Sequence, residues 1–338
     1  MTRRPPTAPA QQPPPRVGLV LGAGGTLGVA WMAGALVALQ ERLARSLGDL
    51  DLIVGTSAGS ILAAALRCGV SAAEIAAHQG GAAMVALPTL RELDRDAGPL
   101  PPLPRMRLGS PRLLASTARA PHRVHPWVAA SALLLQGRAR HRSLTALVDA
   151  LLLQEQGESE PAGVAWPRRG ETWIMAVDYE TGRRTAFGRD GAPAASLPDA
   201  VVASCSIPGW YEPKNIDGRP YVDGGVRSST SLDLLAKVPL DHVYVLAPMA
   251  SYTMDNPLNP YARLERMVRR VLTAALTREA RKVRASGARV TVLTPGPEDL
   301  AAIGVNLMDP ARRQRVLETS LRTAPATLAA ATARHRAA

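Results

Sequence analysis

The first apolar stretch of the chain is a run of 23 uncharged residues, Val17 to Leu39. A run of that length is long enough to cross a bilayer, and the arginines before it resemble the start of a signal peptide. The run is interrupted, however, by clustered glycines, namely Gly22, Gly24, Gly25 and Gly28. The pattern therefore predicts a buried strand (VGLVL), a tight glycine turn and a helix from Val29 to Leu43 rather than a membrane span.

A second unit of the same kind follows, with a strand at 51–54, a turn at 55–60 and a helix at 61–69. Two consecutive strand–turn–helix units predict a mainly parallel sheet with helices on its faces. Further along, the pattern predicts helices and strands in the following order: a helix at 143–155, a hairpin turning at 180–182, a helix at 197–206, strands near 242–248 and 288–295, and a basic helix at 261–286. The predicted fold class is α/β.

Composition divides the chain into regions. Residues 1–16 are rich in Pro, Gln and Ala without periodicity and predict a disordered leader. Residues 17–310 form the predicted α/β domain, and 311–338 a helical tail. Proline and arginine recur throughout 88–142, which we interpret as a lid-like insertion over the core.

Positive charge is concentrated in two stretches. Residues 91–142 hold 10 arginines against 3 acidic residues, and residues 263–289 hold 9 basic residues against 2 acidic ones, within a net charge of +12. Scarce aromatic residues (4%) argue against a stacking surface for nucleic acid, so no nucleic-acid partner is expected. An anionic membrane surface is the predicted partner, although the helix at 261–286 also carries an apolar stripe typical of core packing: Leu264, Val268, Leu272, Leu276 and Val283.

The cysteines bear on location. Cys68 and Cys205 are too few for a disulfide framework, although one bridge between them stays open. We expect a reducing, cytoplasmic location with peripheral attachment to a membrane.

The sequence Gly55-Thr56-Ser57-Ala58-Gly59 falls between a predicted strand and a predicted helix. A nucleophile elbow needs small residues two before and two after its serine, because the turn leaves no room for a Cβ. The alternative is that Ser57 merely caps the helix.

The sequence Gly22-Ala23-Gly24-Gly25-Thr26-Leu27-Gly28 permits three interpretations. One is a dinucleotide-binding loop, with Asp49 or Asp51 as the ribose contact, although Leu27 stands where that fingerprint needs glycine. Another is an oxyanion hole built from bare amides. The third is a tight strand-to-helix turn.

The sequence Tyr221-Val222-Asp223-Gly224-Gly225 is an ordinary turn when taken alone. Beside the two earlier motifs, it predicts a catalytic carboxylate presented on a loop.

These motifs, in this order, resemble the patatin-like phospholipase family, and so does the small-residue block from Ala203 to Pro213 that contains Pro208. The resemblance covers roughly 17–82 and 172–250. It implies a patatin-like three-layer fold and a serine lipid acyl hydrolase acting on a lipid or acyl ester. It also implies roles for individual residues: Ser57 as nucleophile, Asp223 as its partner, and the amides of Gly24, Gly25 and Ala23 as the oxyanion hole. One departure is Leu27, where the family commonly has Arg or Lys.

Histidine separates a dyad from a triad, because a triad needs a histidine base. None of the six histidines has a supporting motif, and Ser57 follows only about one strand, so we expect a Ser–Asp dyad. The histidines are His78, His122, His125, His141, His242 and His335. We expect no metal and no cofactor, because no clustered ligand set is visible. Two competing hypotheses are an oxidoreductase that binds a dinucleotide at Gly22–Gly28 and a non-catalytic membrane-binding module.

Overall fold

The computed structural model of the chain describes residues 14–83, 92–94, 100–156 and 166–336. Most of the predicted leader, and residues 88–91 and 95–99 of the predicted insertion, lie outside these ranges.

Within the described ranges, eight strands form one sheet in the order β5-β6-β3-β2-β1-β7-β8, with β4 also paired to β3. The strands are β1 (Val17–Leu21), β2 (Leu52–Thr56), β3 (Glu171–Asp178), β4 (Arg184–Phe187), β5 (Lys214–Ile216), β6 (Arg219–Asp223), β7 (His242–Leu246) and β8 (Arg289–Leu293). Neighbouring strands among β3, β2, β1, β7 and β8 are parallel, and β4, β5 and β6 add antiparallel pairs. The predicted mixed α/β class with a mainly parallel sheet is confirmed.

The helices are α1 (Gly25–Leu43), α2 (Ala58–Arg67), α3 (Ala72–Gln79), α4 (Pro111–Arg119), α5 (Pro126–Ser131), α6 (Arg142–Gln156), α7 (Leu197–Cys205), α8 (Pro260–Ala285), α9 (Pro297–Ile303) and α10 (Arg313–Arg336). Both early helices begin sooner than the pattern predicts, which shortens the two turns. Between β2 and α2 a single residue, Ser57, remains. None of the helices in the described part of the chain combines the length and the apolar character needed to cross a membrane.

Alternate side chains of the strands enter two different cores. Leu19 and Leu21 pack with α1, α2, α6, α7 and α10 on one face, whereas Val20 packs with α8 on the other. Because successive residues of a strand point to opposite faces, these two cores make a helix–sheet–helix arrangement of three layers. The sheet therefore has both faces covered.

Strand β3 positions the ends of two other strands. Residues 174–177 of β3 pair with β4 along one edge of β3. Residues 171–175 pair with β2 and residues 176–178 pair with β6, so these two strands share the opposite edge of β3. Thr56 at the end of β2 is opposite Met175, and Asp223 at the end of β6 is opposite Ala176. The carboxyl ends of β2 and β6 therefore meet end to end beside β3.

Helix α8 differs from the predicted amphipathic pattern. Its carboxyl half buries Leu276 and Val283 as expected, but Leu264 and Val268 are 60% and 50% exposed while Arg266 is buried. The cause is charge pairing, because Arg266 donates to Asp255 at 2.6 Å and also pairs with Glu265. The apolar stripe thus describes the core face of only half of the helix, and Arg266 is not available to a membrane.

The described part of the predicted insertion, residues 100–142, adds no strand to the sheet. It contains α4 and α5, whose Leu113 and Val128 pack against Val177, Tyr179 and Val222 at the β3–β6 end of the sheet. The insertion is thus attached next to the place where β2 and β6 meet.

Candidate active site

Ser57 occupies a strained turn. Its backbone has φ +51° and ψ −120°, a conformation that L-residues rarely adopt and that is typical of a nucleophile elbow. A Cβ on Gly59 would lie 2.0 Å from the Leu21 carbonyl oxygen, and one on Gly55 would lie 2.6 Å from the Gly59 carbonyl oxygen. The two glycines of the motif are therefore required by close backbone approach.

Neighbouring serines hold this turn in place. The Ser57 amide donates to Ser204 Oγ at 2.8 Å, and Ser204 Oγ donates onward to the Met175 carbonyl oxygen at 2.7 Å. On the other side, Ser60 Oγ donates to the Ser57 carbonyl oxygen at 2.6 Å. A hydroxyl from α7 thus accepts the Ser57 amide hydrogen. The side chain of Ser57 faces the cavity described below.

Asp223 lies beside Ser57, although the two are far apart in sequence. Its backbone amide donates to the Ser206 carbonyl oxygen at 3.0 Å, and its Oδ1 accepts from the Gly225 amide at 2.7 Å. The Ser57 side chain lies close enough to this carboxylate to favour its charged form. Gly224, the next residue, packs closely against β3, since a Cβ there would lie 2.5 Å from the Met175 carbonyl oxygen.

The electrostatics of the pair follow from burial. Burial raises the pKa of Asp223 to about 6, and the hydrogen bonds from Ser57 and Gly225 oppose that rise by favouring the charged form. Burial, with a smaller contribution from the Asp223 charge, raises the pKa of the neighbouring Cys205 thiol. Asp223 can therefore exchange a proton near neutral pH, whereas Cys205 stays a protonated thiol.

The amides of the glycine loop divide into engaged and unengaged groups. The Ala23 amide, a predicted oxyanion donor, donates to the Ser229 carbonyl oxygen at 2.8 Å and is engaged in this conformation. For the amides of Gly24 and Gly25, the structure shows no acceptor among the described residues. They lie at the start of α1, where the first backbone N–H groups of a helix lack internal partners.

The other motif residues have structural positions. Gly25 has φ +59°, and Gly28 lies in α1 with its amide donating to the Gly24 carbonyl oxygen at 2.9 Å. Leu27 is fully buried in the core, so this position offers no charge to a head group. Pro208 lies in the loop after α7, next to Ile207 of the cavity wall.

A mainly apolar cavity opens at Ser57. Its lining includes Gly25, Thr26, Ser57, His141, Tyr211 and Met308, and also the polar residues His78, Gln79, Asp94 and Arg313. Its walls come from α1, α2, α3 and α6 and are formed by Val29, Ile61, Leu62, Ala65, Val70, Ile75, Leu144, Leu147 and Leu151. Because α2 lines it from Ala58 to Ala65 at about 1.5 Å per residue, the cavity follows that helix for roughly 10 Å. A mainly apolar channel therefore runs along α2, whose first residue follows Ser57 directly.

Several residues of the site have no motif. Met308 approaches Gly25, because a Cβ there would lie 2.8 Å from its sulfur. His141 stacks on Tyr211 with ring centroids 3.7 Å apart, and its Nε2 lies 3.0 Å from the Cys205 carbonyl oxygen. Of the side chains of His141, Tyr211 and Met308, only that of Tyr211 belongs to a motif block identified from the sequence. The rest come from distant segments that the fold brings together.

The dinucleotide interpretation fails on geometry. The Asp51 amide donates to the Val17 carbonyl oxygen at 3.0 Å, and Asp51 Oδ2 accepts from the Val17 amide at 2.7 Å. Val17 begins β1, whereas the glycine loop follows its end. Asp51, and Asp49 just before it, therefore lie at the amino ends of the strands, whereas the loop lies at their carboxyl ends. Neither aspartate can contact a ribose bound at the loop.

Metal ligation can be examined in the ranges that the structure describes. There, no three side chains of His, Cys, Asp or Glu are grouped so that they could hold a metal ion. Cys68 and Cys205 are both free and buried, so the disulfide that the sequence left open is not formed. Asp94 pairs with Arg313 of α10 rather than with an arginine of its own segment.

A mainly parallel sheet, with a strained serine beside a buried aspartate where two strands end, is an arrangement typical of α/β hydrolases. A family model described as patatin-like phospholipase matches residues 19–236, and the chain therefore belongs to this family of lipid hydrolases.

Solved structures were also compared with the chain. VipD from Legionella pneumophila is 15% identical, with 94% of this chain and 67% of that chain covered and a TM-score of 0.44. The type III effector protein ExoU is 18% identical, with 94% and 53% covered and a TM-score of 0.38. ExoU in complex with SpcU from Pseudomonas aeruginosa is 19% identical, with 91% and 53% covered and a TM-score of 0.32. The chain spans about half the length of ExoU.

Proposed function

We propose that the protein is a serine lipid acyl hydrolase that cleaves carboxylic esters through a Ser57–Asp223 dyad and an acyl-enzyme intermediate. The observation that carries the proposal is the strained Ser57, which lies beside the buried Asp223 carboxylate and lines a mainly apolar channel. Strain of this kind is retained where the surrounding structure enforces it, and it occurs most often at functional sites.

In the acylation step, Asp223 takes the proton of the Ser57 hydroxyl as the oxygen attacks the ester carbonyl carbon. The carbonyl oxygen becomes negative and accepts hydrogen bonds from the Gly24 and Gly25 amides. When the carbon–oxygen bond of the ester breaks, the leaving alcohol takes the proton from Asp223. The acyl group remains bonded to Ser57.

In the second step, Asp223 deprotonates a water molecule, which attacks the acyl carbon. The bond to Ser57 breaks, Ser57 recovers its proton from Asp223, and a fatty acid is released. A pKa of about 6 suits both transfers, because a base titrating near the working pH can accept a proton and return it.

The channel supports a substrate with a long acyl chain. Twelve aliphatic side chains line it, so burying hydrocarbon there gains roughly 0.8 kcal/mol for each CH₂ group. Leu27 supplies no basic group at the position where the family commonly has one, and Arg313, a basic residue of the cavity lining, is paired with Asp94. We therefore propose that the acyl chain, more than a charged head group, determines binding to the site.

A substrate with long acyl chains is held in a lipid surface, so we propose that the protein acts as a peripheral protein at an anionic membrane. The basic stretch at 263–289 supports this less than its charge suggests, because Arg266 and Arg269 are buried and paired with Glu265. The stretch at 91–142 keeps most of its arginines exposed.

Labelling with a fluorophosphonate probe, followed by peptide mapping, tests the proposal. We expect a single adduct on Ser57, together with hydrolysis of a soluble short-chain ester. Ser57→Ala should lose both, whereas Ser60→Ala, at a neighbouring buried serine, should still be labelled. An adduct on another serine would contradict the assigned nucleophile, and a folded protein with no labelling and no turnover would favour the non-catalytic binding module.

A further inference from the structure

The Arg-rich segment, defined as residues 100–142, has an unusual surface. It contains eight arginines and no acidic residue. Among its apolar side chains, Leu103, Met106, Trp127 and Leu133 are between 62% and 93% exposed. Leu100, Leu108, Leu134 and Leu135 are also exposed. Soluble proteins rarely place so many large apolar side chains together in water without a binding role.

The segment has a core of its own, so this exposure is not a sign of poor packing. Leu113, Val124 and Val128 are buried against the sheet, and Ser110 caps α4 by accepting from the Leu113 amide at 3.2 Å. Tyr179 of β3 donates its hydroxyl to the Ser131 carbonyl oxygen at 2.7 Å. One side of the segment is thus fixed to the protein, and its other side presents the apolar residues.

The exposed side adjoins the cavity wall. Leu134 packs against Gly209, 3.6 Å from where a Cβ there would lie. The Ala139 amide donates to the Trp210 carbonyl oxygen at 3.1 Å, and the Glu212 amide donates to the Ala139 carbonyl oxygen at 3.0 Å. Ile207 and Tyr211 in that same stretch line the cavity that contains Ser57. The surface and the channel mouth therefore share one backbone segment.

The arginines divide into two groups. Arg105 and Arg140 pair with Glu212, and Arg112 pairs with Glu180, which anchors the segment to the domain. Five others are exposed and belong to no ion pair among the described residues: Arg107, Arg119, Arg123, Arg138 and Arg142. The segment is thus apolar and cationic on the same surface, which complements a leaflet of hydrocarbon under anionic head groups.

We propose that the Arg-rich segment is the surface that enters an anionic lipid bilayer. Its exposed Leu, Met and Trp side chains insert among the acyl chains, while its unpaired arginines contact the head groups. Tyr211 and the mouth of the channel then lie next to the membrane, so that an acyl chain passes into the cavity without crossing water. This inference rests on the proposed lipid hydrolase function for its choice of partner.

Flotation with vesicles of ether-linked phosphatidylcholine, alone or mixed with ether-linked phosphatidylserine, tests the surface without ester hydrolysis. The wild-type chain should prefer the anionic vesicles and keep part of its binding at high salt, because screening weakens charge attraction but not hydrocarbon insertion. Leu103→Ser with Met106→Ser and Leu133→Ser should lower binding about tenfold or more. These side chains are mostly in water, so their replacement should not unfold the protein.

A second variant separates charge from insertion. Replacing Arg107, Arg119 and Arg123 by Gln should remove the preference for anionic vesicles at low salt, by about fivefold for each arginine that reaches the leaflet. Leu153→Ser on α6, which is 58% exposed and lies outside the segment, is the matched control and should bind like the wild type.

Four results would overturn the proposal. The first three are equal binding by the triple serine variant, an equal loss in the Leu153→Ser control, and a loss confined to a variant of α8 with Leu264→Ser and Val268→Ser. The fourth is binding to neither vesicle type, which would leave the surface to a protein partner. Turnover of a soluble short-chain ester should be unchanged in every variant. If the wild type lacks that turnover but binds as expected, the hydrolase proposal fails and the surface does not.

Discussion

Ser204 Oγ accepts the amide hydrogen of Ser57 at 2.8 Å, across 147 positions of sequence. The same hydroxyl donates to the Met175 carbonyl oxygen, so α7 fastens the strained turn to β3. The turn is therefore held by its neighbours rather than by its own preference, and Ser204 is a positioning residue for the proposed nucleophile.

Ser204→Ala should lower both stability and activity. Two buried backbone groups lose this partner, at a cost of about 1–3 kcal/mol in the free energy of unfolding. If the turn shifts by as much as 1 Å, turnover should fall by about 10²-fold. The matched control is Ser206→Ala, whose buried hydroxyl donates only to the Val202 carbonyl oxygen of its own helix. Urea unfolding and ester turnover measure the two effects, and equal activity in both variants would show that Ser204 is only structural.

The dyad can be tested by combining substitutions. Ser57→Ala and Asp223→Asn should each lower ester turnover by about 10²–10⁴-fold or more while the protein stays folded. Because the two groups act as a unit, the double variant should be no slower than the slower single variant. Multiplying losses would indicate independent roles, and near-normal turnover by either single variant would contradict the dyad.

The pH dependence follows from the burial of Asp223. Its pKa of about 6 means that the carboxylate needed as a base forms only above that value. The value of kcat/KM for a soluble ester should therefore rise with pH through about 6 and then level off. A profile still rising above pH 7 would point to a different base.

The same pKa makes a prediction about stability. The folded state holds the proton more tightly than the unfolded chain, so stability should fall as pH rises from about 4 to about 6, by up to roughly 3 kcal/mol. Asp223→Asn removes this dependence and should be the more stable protein at pH 7. Urea unfolding of both proteins at pH 4 and pH 7 measures it, and equal stability at pH 7 would be inconsistent with a buried carboxylate of raised pKa.

Gly25→Ala should be folded but strongly impaired. Gly25 has φ +59°, and a Cβ would lie 2.8 Å from Met308 Sδ and 3.0 Å from the Leu307 carbonyl oxygen, so the loop must move. Losing one oxyanion donor costs about 10²–10³ in turnover. Gly191→Ala controls for backbone strain, since Gly191 has φ +77° and open space around it. Equal turnover in the two variants would contradict an oxyanion role for this loop.

His141 is the histidine to test first, because it lines the cavity mouth. Its Nε2 lies near the Cys205 carbonyl oxygen and its ring stacks on Tyr211, which is a packing role. His141→Gln should therefore keep ester turnover within about tenfold of the wild type. Loss of a catalytic base would lower turnover by about 10²–10⁴-fold. A loss of several thousandfold with folding intact would revive a triad.

Local patterns predicted the two strand–turn–helix units, because the glycines and the apolar runs of β1 and β2 lie within short windows of sequence. The exact turn lengths did not follow, since α1 and α2 begin directly at Gly25 and Ala58. The β5–β6 hairpin was missed although Asp217-Gly218, both with positive φ, is a typical hairpin turn.

The structural features that the sequence did not predict depend on contacts between distant segments. Arg266 is buried because Asp255 and Glu265 pair with it, and this inverts the helix face that spacing alone predicts. The sequence makes Ala23 a candidate oxyanion donor, and it does not show that the Ser229 carbonyl oxygen accepts the Ala23 amide hydrogen in the folded chain. Ser204 stands in the block resembling the family, yet its role depends on where α7 crosses β3.

The end-to-end arrangement of β2 and β6 on one edge of β3 has a consequence for sequence variation. Thr56 and Asp223 are set by adjacent residues, Met175 and Ala176, of a single strand. The long connections between these strands, including the Arg-rich segment, do not set the positions of these two residues. Insertions and deletions there can reshape the surface that meets the substrate while the spacing of the serine and the aspartate stays the same.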